Sequence, residues 1–326
     1  MLVPDLGVGV GLRVPHYAHV LAEVPVVDFF EVISENFMVA GGKPRYHLSR
    51  VLERYPVVQH GVSLDIGGPE PLDRDYLLAL KALARETKTP WVSDHFCWCA
   101  AGGAHLHDLL PLPYTREAIE RVVERARQVQ DTLELPFALE NTSSYLTYRA
   151  STLSEWEFIG EILERADIGL LLDVNNVYVS AYNHGFDPIE FLRGIPEERV
   201  LQVHLASHTS AGDYLIDTHR GPVIEAVWQL YRLAIERCGS VSTLIEWDDE
   251  IPSFPVLAAE ASRGRAERQR ALEARAGGAT SVDEAAVHRA LELSRAEASG
   301  AARGWQQGGP REVPDGAAPD EVTACP

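Results

Sequence analysis

Eight short apolar segments recur between residues 8 and 247, and their spacing constrains the fold more than any other feature of the chain. Most are rich in Val, Leu and Ile and lack alternating polar positions, which is typical of strands covered on both faces. The predicted strands lie at Val8–Leu12, Phe29–Val32, Val57–Leu64, Trp91–Phe96, Phe137–Asn141, Gly169–Asn176, Val200–Ala206 and Thr243–Trp247.

Helical patterns occupy several of the intervals between these strands. Leucine and alanine recur there at spacings of three and four residues, which places them on one face of a helix. Thr115 is a candidate N-cap, and Ser154 is followed three residues later by Glu157, the pattern of a capping box. The predicted helical segments are Asp73–Thr87, Thr115–Leu133, Ser154–Ala166, Pro188–Arg193 and Pro222–Arg237.

The alternation of strand and helix predicts an α/β fold, a TIM (β/α)8 barrel over residues 1–262. An open doubly wound sheet is the competing architecture. Such a sheet usually carries a glycine-rich phosphate turn before a helix, and GVGVGLRVPH is followed by no convincing helix. Residues 263–326 form an Ala/Arg/Pro-rich tail, which we expect to be helical over Arg263–Ala276. From Gly277 to Pro326 we expect disorder, because few large apolar groups remain to offset the ordering entropy.

Charge and hydropathy exclude several classes of function. The net charge of -19 argues against a nucleic-acid partner, whose phosphates require a basic surface, and suits cations or a basic peptide. No stretch approaches the ~20 apolar residues of a membrane span, and the N-terminus lacks the features of a signal peptide. Four cysteines in 326 residues do not make a disulfide framework. We therefore expect a cytoplasmic protein that does not bind membranes.

Imidazole or carboxylate groups stand at the end of six of the predicted strands. The carboxyl ends of barrel strands meet at one mouth, where active sites of such barrels are assembled. A buried charge is costly unless it is paired or bound to a metal, so the recurrence predicts metal binding. These candidate ligands are His60, His95, Glu140, Asp173, His204 and Glu246.

The loops supply further candidates in Asn176, Asp217 and His219, whereas His184 could be a ligand, a supporting group or a surface residue. Imidazole with carboxylate suits iron, manganese or zinc. Nine ligands exceed the needs of one ion, and a carboxylate can bridge two ions in a multinuclear site. Because Glu140 and Asp173 lie on consecutive predicted strands, we expect them to be the bridges.

Eight long sequence runs resemble one family of enzymes in the same order. The runs are HGVSLDIGG, VSDHF, DLLPLPYT, LENTSSYL, LLLDVNNVYVSAYNHGFD, VHLASH, IDTHRGPV and LIEWDDEIP. They resemble the multinuclear non-haem iron-dependent oxidative enzymes (MNIO), long known only as an uncharacterised protein family, which include the methanobactin-biosynthesis iron enzyme. The resemblance covers roughly Gly7 to Ala261.

This resemblance implies a xylose-isomerase-like barrel that holds two or three iron ions in mixed Fe(II)/Fe(III) states. It implies that dioxygen is the co-substrate in the oxidative modification of cysteine residues in a ribosomally synthesised precursor peptide. A small partner protein is expected to present that peptide. The implied metal ligands are His60, His95, Glu140, Asp173, Asn176, His204, Asp217, His219 and Glu246. We expect the catalytic residues to be Glu140, Asp173, His204 and Asp217.

One departure from the family pattern is HFCWC, where relatives more often carry HLAWS. It places Cys97 and Cys99 near the predicted ligand His95 and leaves open an altered or redox-sensitive site. Two other readings of the chain also stay open. One is a divalent-metal sugar isomerase or hydrolytic barrel enzyme, and the other is a non-enzymatic module that binds metal or a partner.

Overall fold

A computed structural model describes residues 3–307 of the chain. The strands of this part are β1 (Val8–Gly11), β2 (Phe30–Ile33), β3 (Val57–His60), β4 (Val92–His95), β5 (Cys97–Ala101), β6 (Ala104–Pro111), β7 (Phe137–Glu140), β8 (Gly169–Asp173), β9 (Val200–Leu205), β10 (His208–Ser210), β11 (Leu215–Asp217) and β12 (Ser242–Ile245). The α-helices are α1 (Tyr17–Glu23), α2 (Lys43–Leu52), α3 (Arg74–Thr87), α4 (Arg116–Leu133), α5 (Glu155–Ala166), α6 (Val174–His184), α7 (Pro188–Gly194), α8 (Glu225–Cys238), α9 (Phe254–Ala276) and α10 (Glu284–Gln307).

Eight of these strands pair in parallel and close into a barrel in the order β1-β12-β9-β8-β7-β4-β3-β2. The predicted TIM barrel is therefore confirmed, and each predicted strand corresponds to one barrel strand. The remaining four strands form two antiparallel hairpins, β5–β6 and β10–β11, which the sequence reading did not anticipate. Throughout residues 3–307, each helix is too short or too polar to cross a lipid bilayer.

Side-chain caps start the helices where the sequence predicts them. The Thr115 hydroxyl accepts a hydrogen bond from the backbone N–H of Ala118 at the start of α4. At α5, Ser154 accepts from the backbone N–H of Glu157, and the Glu157 carboxylate accepts from the backbone N–H of Ser154. This is the predicted capping box, which satisfies two N–H groups that the helix itself leaves without partners.

The predicted strand Gly169–Asn176 is three residues too long. It ends at Asp173, whose carboxylate accepts a hydrogen bond from the backbone N–H of Asn176 and so starts α6 at Val174. The apolar run continues across this change because α6 is itself buried through most of its length. A continuous apolar run cannot by its pattern distinguish a buried strand from a buried helix.

The chain after the last barrel strand is more ordered than expected. Helix α9 begins with the buried Phe254 and packs against α8 and β1, so the predicted boundary at residue 262 falls inside a barrel helix. Helix α10 packs on α8, with Val287 and Leu291 buried. Helix α10 thus lies within the segment from Gly277 onward for which the sequence predicts disorder, and one apolar face is enough to dock a helix that is otherwise polar. Residues 308–326 of the predicted tail lie outside the described residues.

The amino ends of the barrel strands enclose an apolar floor. Phe29, Val58, Trp91 and Leu244 contact one another there as a cluster separate from the main core, and all four are fully buried. The N-terminal residues Val3 and Leu6 pack against this cluster from below. The barrel is therefore a packed core at this end.

Candidate metal centre

The register of the parallel barrel brings the predicted ligands together at the opposite end. His95 of β4 is paired with Glu140 of β7, and Asp173 of β8 is paired with His204 of β9. Because each of these residues is the last or the last but one of its strand, their side chains meet at the carboxyl-end mouth.

Three groups of ligand atoms form at this mouth, and carboxylates link them. Within each group the ligand atoms lie within 4.8 Å of one another. Glu140 belongs to the first and second groups, and Glu246 belongs to the second and third. The groups are His60, His95 and Glu140; Glu140, Asp173, His204 and Glu246; and His219, Glu246 and Asp248.

The first group is built from two fixed imidazole rings and one carboxylate. The Nδ1 atom of His60 lies 2.9 Å from the Ser93 hydroxyl, and Nδ1 of His95 lies 3.0 Å from the carbonyl of Gly61. These bonds turn both Nε2 atoms towards Glu140 Oε2, at 3.2 Å from His60 and 3.3 Å from His95. The arrangement offers one oxygen and two nitrogen donors to a single point.

The second group is organised around His204. Its Nε2 lies 3.1 Å from Glu31 Oε2 and, because a carboxylate only accepts, Nε2 is the donor. The neutral ring then carries its lone pair on Nδ1, which lies 3.1 Å from Glu246 Oε2 and 3.5 Å from Glu140 Oε1. The two oxygens of Glu140 thus face different groups, the geometry expected of a bridging carboxylate.

The third group lies nearer to the solvent. Nδ1 of His219 is 3.6 Å from Glu246 Oε2 and 3.7 Å from Asp248 Oδ2. Arg13 contacts both carboxylates, with its Nε bonded to Asp248 and its guanidinium 3.5 Å from Glu246 Oε1. This guanidinium offsets part of the negative charge that the two acidic side chains bring to the mouth.

Asp173 divides its carboxylate between two tasks. Oδ1 caps α6 at the backbone N–H of Asn176, 2.6 Å away, while Oδ2 is buried without a hydrogen-bond partner. Asp173 belongs to the second group alone, whereas Glu140 and Glu246 each belong to two groups. The expectation that Glu140 and Asp173 bridge two ions stays a prediction. Asn176 donates to the Asn141 carbonyl and leaves its own Oδ1 buried and unpaired.

Asp217 lies at the mouth but stands outside the three groups. Its Oδ1 is 3.0 Å from Nε2 of His219 and accepts a hydrogen bond of 2.8 Å from the Asn175 amide. A carboxylate on the far nitrogen of a ligand histidine fixes its tautomer and raises its basicity. The structure therefore gives Asp217 a supporting contact to His219, together with a place on the cavity wall.

A cavity of about 240 Å³ opens onto this cluster, lined by His60, His95, Glu140, Asn176, Asp217, His219, Glu246 and Asp248 among others. Four buried oxygen or nitrogen atoms of the cluster that could bind a metal have no hydrogen-bond partner in the described part of the chain. They are Glu140 Oε2, Asp173 Oδ2, Asn176 Oδ1 and His204 Nδ1. Orphaned buried polar atoms are rare in native proteins and call for an explanation such as an ion. Oxygen and nitrogen donors of this kind fit divalent or trivalent metal ions.

The electrostatics of the cluster show how strongly its charges depend on one another. Burial and the neighbouring His95 and His204 hold the pKa of His60 well below its usual value. Burial opposes a charge on His95 as well, but Glu140 and Asp94 outweigh it and raise the pKa of His95 to about 9. Burial and the Glu140 carboxylate raise the pKa of Asp173 well above its usual value. Bound cations would replace the protons that these groups otherwise compete for.

The sequence reading missed Glu31, Arg13 and Asp248. Glu31 is fully buried in the middle of a barrel strand and was hidden inside an apolar run. A lone charged residue within such a run is the signal that could have revealed it, because an unpaired buried carboxylate is costly. Asp248 follows Glu246 by two residues and was passed over as part of an acidic loop.

The structure describes the surroundings of three further residues whose roles the sequence leaves open. His184 is not a member of the three ligand groups; its Nε2 lies 2.7 Å from the Ser144 hydroxyl, and its side chain lines a second cavity. Cys97 and Cys99 are buried on β5, where the Asp65 carboxylate accepts from the backbone N–H of Cys99. The β5–β6 hairpin that carries the two cysteines contributes Asp108 and Leu109 to the wall of the cavity that opens onto the three ligand groups. We call this the metal cavity.

Comparison with known proteins agrees with this geometry. The sequence model of a family described as "RiPP precursor modification enzyme MbnB/TglH/ChrH" matches residues 7–269. A UPF0276 protein of Anaeromyxobacter sp. (strain Fw109-5) is 51% identical over 274 residues, which cover 84% of this chain and 97% of that protein. A UPF0276 protein of Caulobacter vibrioides (strain NA1000 / CB15N) is 50% identical over 266 residues, which cover 81% and 95% respectively.

Solved structures share the fold at low identity. A xylose isomerase-like TIM barrel protein from Mycobacterium smegmatis in complex with magnesium gives a TM-score of 0.52 at 13% identity, covering 82% of this chain and 98% of that chain. A xylose isomerase domain protein from Planctomyces limnophilus gives 0.51 at 14% identity, covering 84% and 99%. These likenesses establish a xylose-isomerase-like barrel and nothing about activity. The sequence matches go further: the chain belongs to the MbnB/TglH/ChrH family of enzymes that modify RiPP precursors, the ribosomally synthesised peptides that are altered after translation.

Proposed function

We propose that this enzyme holds two or three iron ions at the barrel mouth and uses dioxygen to oxidise cysteine residues of a RiPP precursor peptide. One observation carries the proposal: three groups of ligand atoms are joined by the shared carboxylates Glu140 and Glu246. A chain of groups joined in this way suits neighbouring ions better than one isolated ion. The number of groups favours three ions over two.

The choice of iron rests on the donor set and on the family. Imidazole and carboxylate donors suit iron, manganese and zinc, and the ligand groups of the described residues contain no thiolate. Bound iron would supply the redox capacity to activate dioxygen and to accept electrons from a substrate thiolate. Family membership makes a precursor peptide the substrate, and we extend this to its cysteine residues and to a small partner protein that presents it.

The residues of the chain prepare the site for this chemistry. Ser93 and Gly61 hold the rings of His60 and His95 so that their Nε2 atoms face the cavity, and Glu31 does the same for Nδ1 of His204. Fixed ligands reduce the reorganisation that binding and reaction would otherwise require.

We assign Asp217, one of the predicted catalytic residues, the handling of a substrate proton. Its carboxylate lines the cavity beside His219 and is mostly but not fully buried, so it can meet a thiol that enters from the mouth. Its hydrogen bonds to Asn175 and His219 fix its orientation at that wall.

The test is anaerobic reconstitution followed by an oxygen measurement. The full chain is loaded with ferrous iron, its metal content is counted by mass spectrometry, and oxygen uptake is followed when a cysteine peptide from a neighbouring reading frame is added with its partner protein. We expect more than one iron per chain and peptide-dependent oxygen uptake, with a change in peptide mass. A matched peptide with serine at the cysteine position should give neither uptake nor mass change. Equal modification without oxygen, or by the zinc-loaded or manganese-loaded chain, would overturn the assignment.

A further inference from the structure

A second cavity, which the chemistry above does not use, lies beside the metal cavity. It has a volume of about 280 Å³, and its wall is mostly apolar. Aromatic side chains from different parts of the chain line it, among them Tyr114 before α4, Trp156 in α5 and Phe186 after α6. Its apolar lining also includes Leu112, Leu146 and Leu153. We call this the aromatic cavity.

Two chain segments separate the aromatic cavity from the metal cavity, and each contributes to both. In the first segment, Asp108 and Leu109 line the metal cavity, and Leu112 lines the aromatic cavity. In the second segment, Tyr145 lines the metal cavity and the next residue, Leu146, lines the aromatic one. At each of these two places, therefore, one chain segment lies between the two cavities.

The top of this wall is apolar and open to solvent. Tyr145 is 46% exposed and Leu146 is 41% exposed. Adjacent exposed apolar residues next to a concave site are typical of surfaces that contact another molecule. A peptide chain that delivers one residue to the metal cavity would cross this rim, and an extended chain advances about 3.3 Å per residue.

The polar groups of the aromatic cavity are mostly occupied by one another. The Ser144 hydroxyl is bonded to His184, and the Ser151 hydroxyl accepts from the backbone N–H of Tyr114. The carboxyl group of Glu155 accepts a hydrogen bond from the Tyr114 hydroxyl. Burial raises the pKa of Glu155 to about 7, although this hydrogen bond opposes the rise. The cavity therefore favours a side chain that is apolar and offers at most one donor.

We propose that the aromatic cavity binds an aromatic side chain of the precursor peptide, a few residues from the cysteine that enters the metal cavity. The proposal rests on the proposed function, since it needs a peptide substrate at the mouth. Rings prefer offset or edge-to-face contacts with other rings, and Trp156 and Phe186 are already tilted by 59° to each other at 6.0 Å. An aromatic ring fits the available volume, and the Glu155 carboxyl group in the wall could accept a hydrogen bond from an indole N–H.

The experiment measures binding of three blocked amino acids to the purified full chain by ligand-observed NMR. The probes are N-acetyl-tryptophanamide, N-acetyl-leucinamide and N-acetyl-lysinamide. Two matched variants are compared: Leu146→Glu places a charge in the wall of the aromatic cavity, and Leu106→Glu makes the same change on the β5–β6 hairpin. Both leucines are similarly exposed, at 41% and 44%, so neither substitution disturbs the core.

We expect the tryptophan probe to bind about tenfold more tightly than the other two, with that advantage lost in Leu146→Glu and kept in Leu106→Glu. In a peptide assay, Leu146→Glu should raise KM and leave kcat unchanged. Equal binding of the three probes, or equal loss in both variants, would overturn the proposal. The readout needs neither iron nor turnover, so failure of the oxygen assay with this binding pattern intact would count against the proposed chemistry alone.

Discussion

The mouth and the floor of the barrel are built from the same strands, yet they carry opposite chemistry. Alternate residues of a strand point to the same face, so a position two residues before a mouth ligand shares its side of the strand. Those earlier positions are apolar on four strands that end at or just before a candidate ligand. The pairs, earlier residue first, are Val58 and His60, Ala138 and Glu140, Leu171 and Asp173, and Leu244 and Glu246, and we count Ala138 and Leu171 with the floor from here on.

Burial does not distinguish the two regions, because nearly all of these side chains are inaccessible to solvent. Burial of its apolar side chains makes the floor stabilise the folded state, and these side chains need no polar partner. The mouth buries charges and leaves donor atoms such as Glu140 Oε2 and His204 Nδ1 without hydrogen bonds. The floor therefore stabilises the fold, whereas bound cations would offset the cost of the buried charges at the mouth.

The largest effect on the mouth is expected when the carboxylate that the first two groups share is removed. We expect Glu140→Ala to lose most of the bound metal and all measurable peptide modification while the fold is retained, because two groups lose a donor at once. Metal counted per folded chain, with circular dichroism as the control for folding, measures this. Wild-type metal content in Glu140→Ala would contradict both the bridge and the role of the mouth.

The converse change removes part of the floor. Leu244 is fully buried, and Leu244→Ala should lower the free energy of unfolding by about 2–5 kcal/mol, through lost burial and a residual cavity. Urea denaturation of the metal-free chain measures this value. Metal bound per folded chain should stay at the wild-type level, and a parallel loss of metal would show that floor and mouth are not separable.

A smaller effect is expected from the carboxylate that supports His204 from behind. Glu31→Gln keeps the shape of the side chain but removes the charge that holds His204 as an Nδ1 ligand. Loss of such a support typically weakens metal affinity by about 10–100-fold. Competition with a chelator of known affinity measures the change, and an unaltered affinity would rule out this role for Glu31.

The smallest effect is expected outside both regions, in the last described helix. Val287 is buried where α10 packs on α8, and Val287→Ala should reduce stability by about 1–2 kcal/mol for the methyl groups removed. Thermal unfolding of the full chain measures this, with the exposed Leu293→Ala in the same helix as control. Equal stability of both variants would mean that α10 adds nothing to the barrel.

Much of the fold and of the site could be predicted because local signals and global geometry agree. Apolar runs identified every barrel strand, and the caps Thr115 and Ser154 marked where helices begin. The positions of His60, His95 and Glu140 at the mouth were predictable because a polar residue at the end of an apolar run stands out, and a barrel gathers such ends at one mouth.

The remaining features depend on contacts that a linear pattern does not contain. Glu31 sits within an apolar strand, and only its distance to His204 explains its presence. The membership of Glu246 in two groups could not be predicted from chain order, because it depends on the pairing of β12 with β9. Helix α10 was missed because its docking face is short and the composition of the whole tail concealed it.

The carboxylate of Asp173 makes two kinds of contact, and together they couple helix α6 to the mouth of the barrel. One oxygen of this carboxylate anchors the first turn of α6, and the other faces the ion cluster. The same helix positions Asn175 against both Asp217 and His208, so the β10–β11 hairpin is tied to it. Any shift of Asp173 on loading or emptying of the centre would therefore be transmitted as a movement of this helix and its hairpin. If the mouth holds metal ions as proposed, the position of the β10–β11 hairpin would therefore depend on whether the ions are bound.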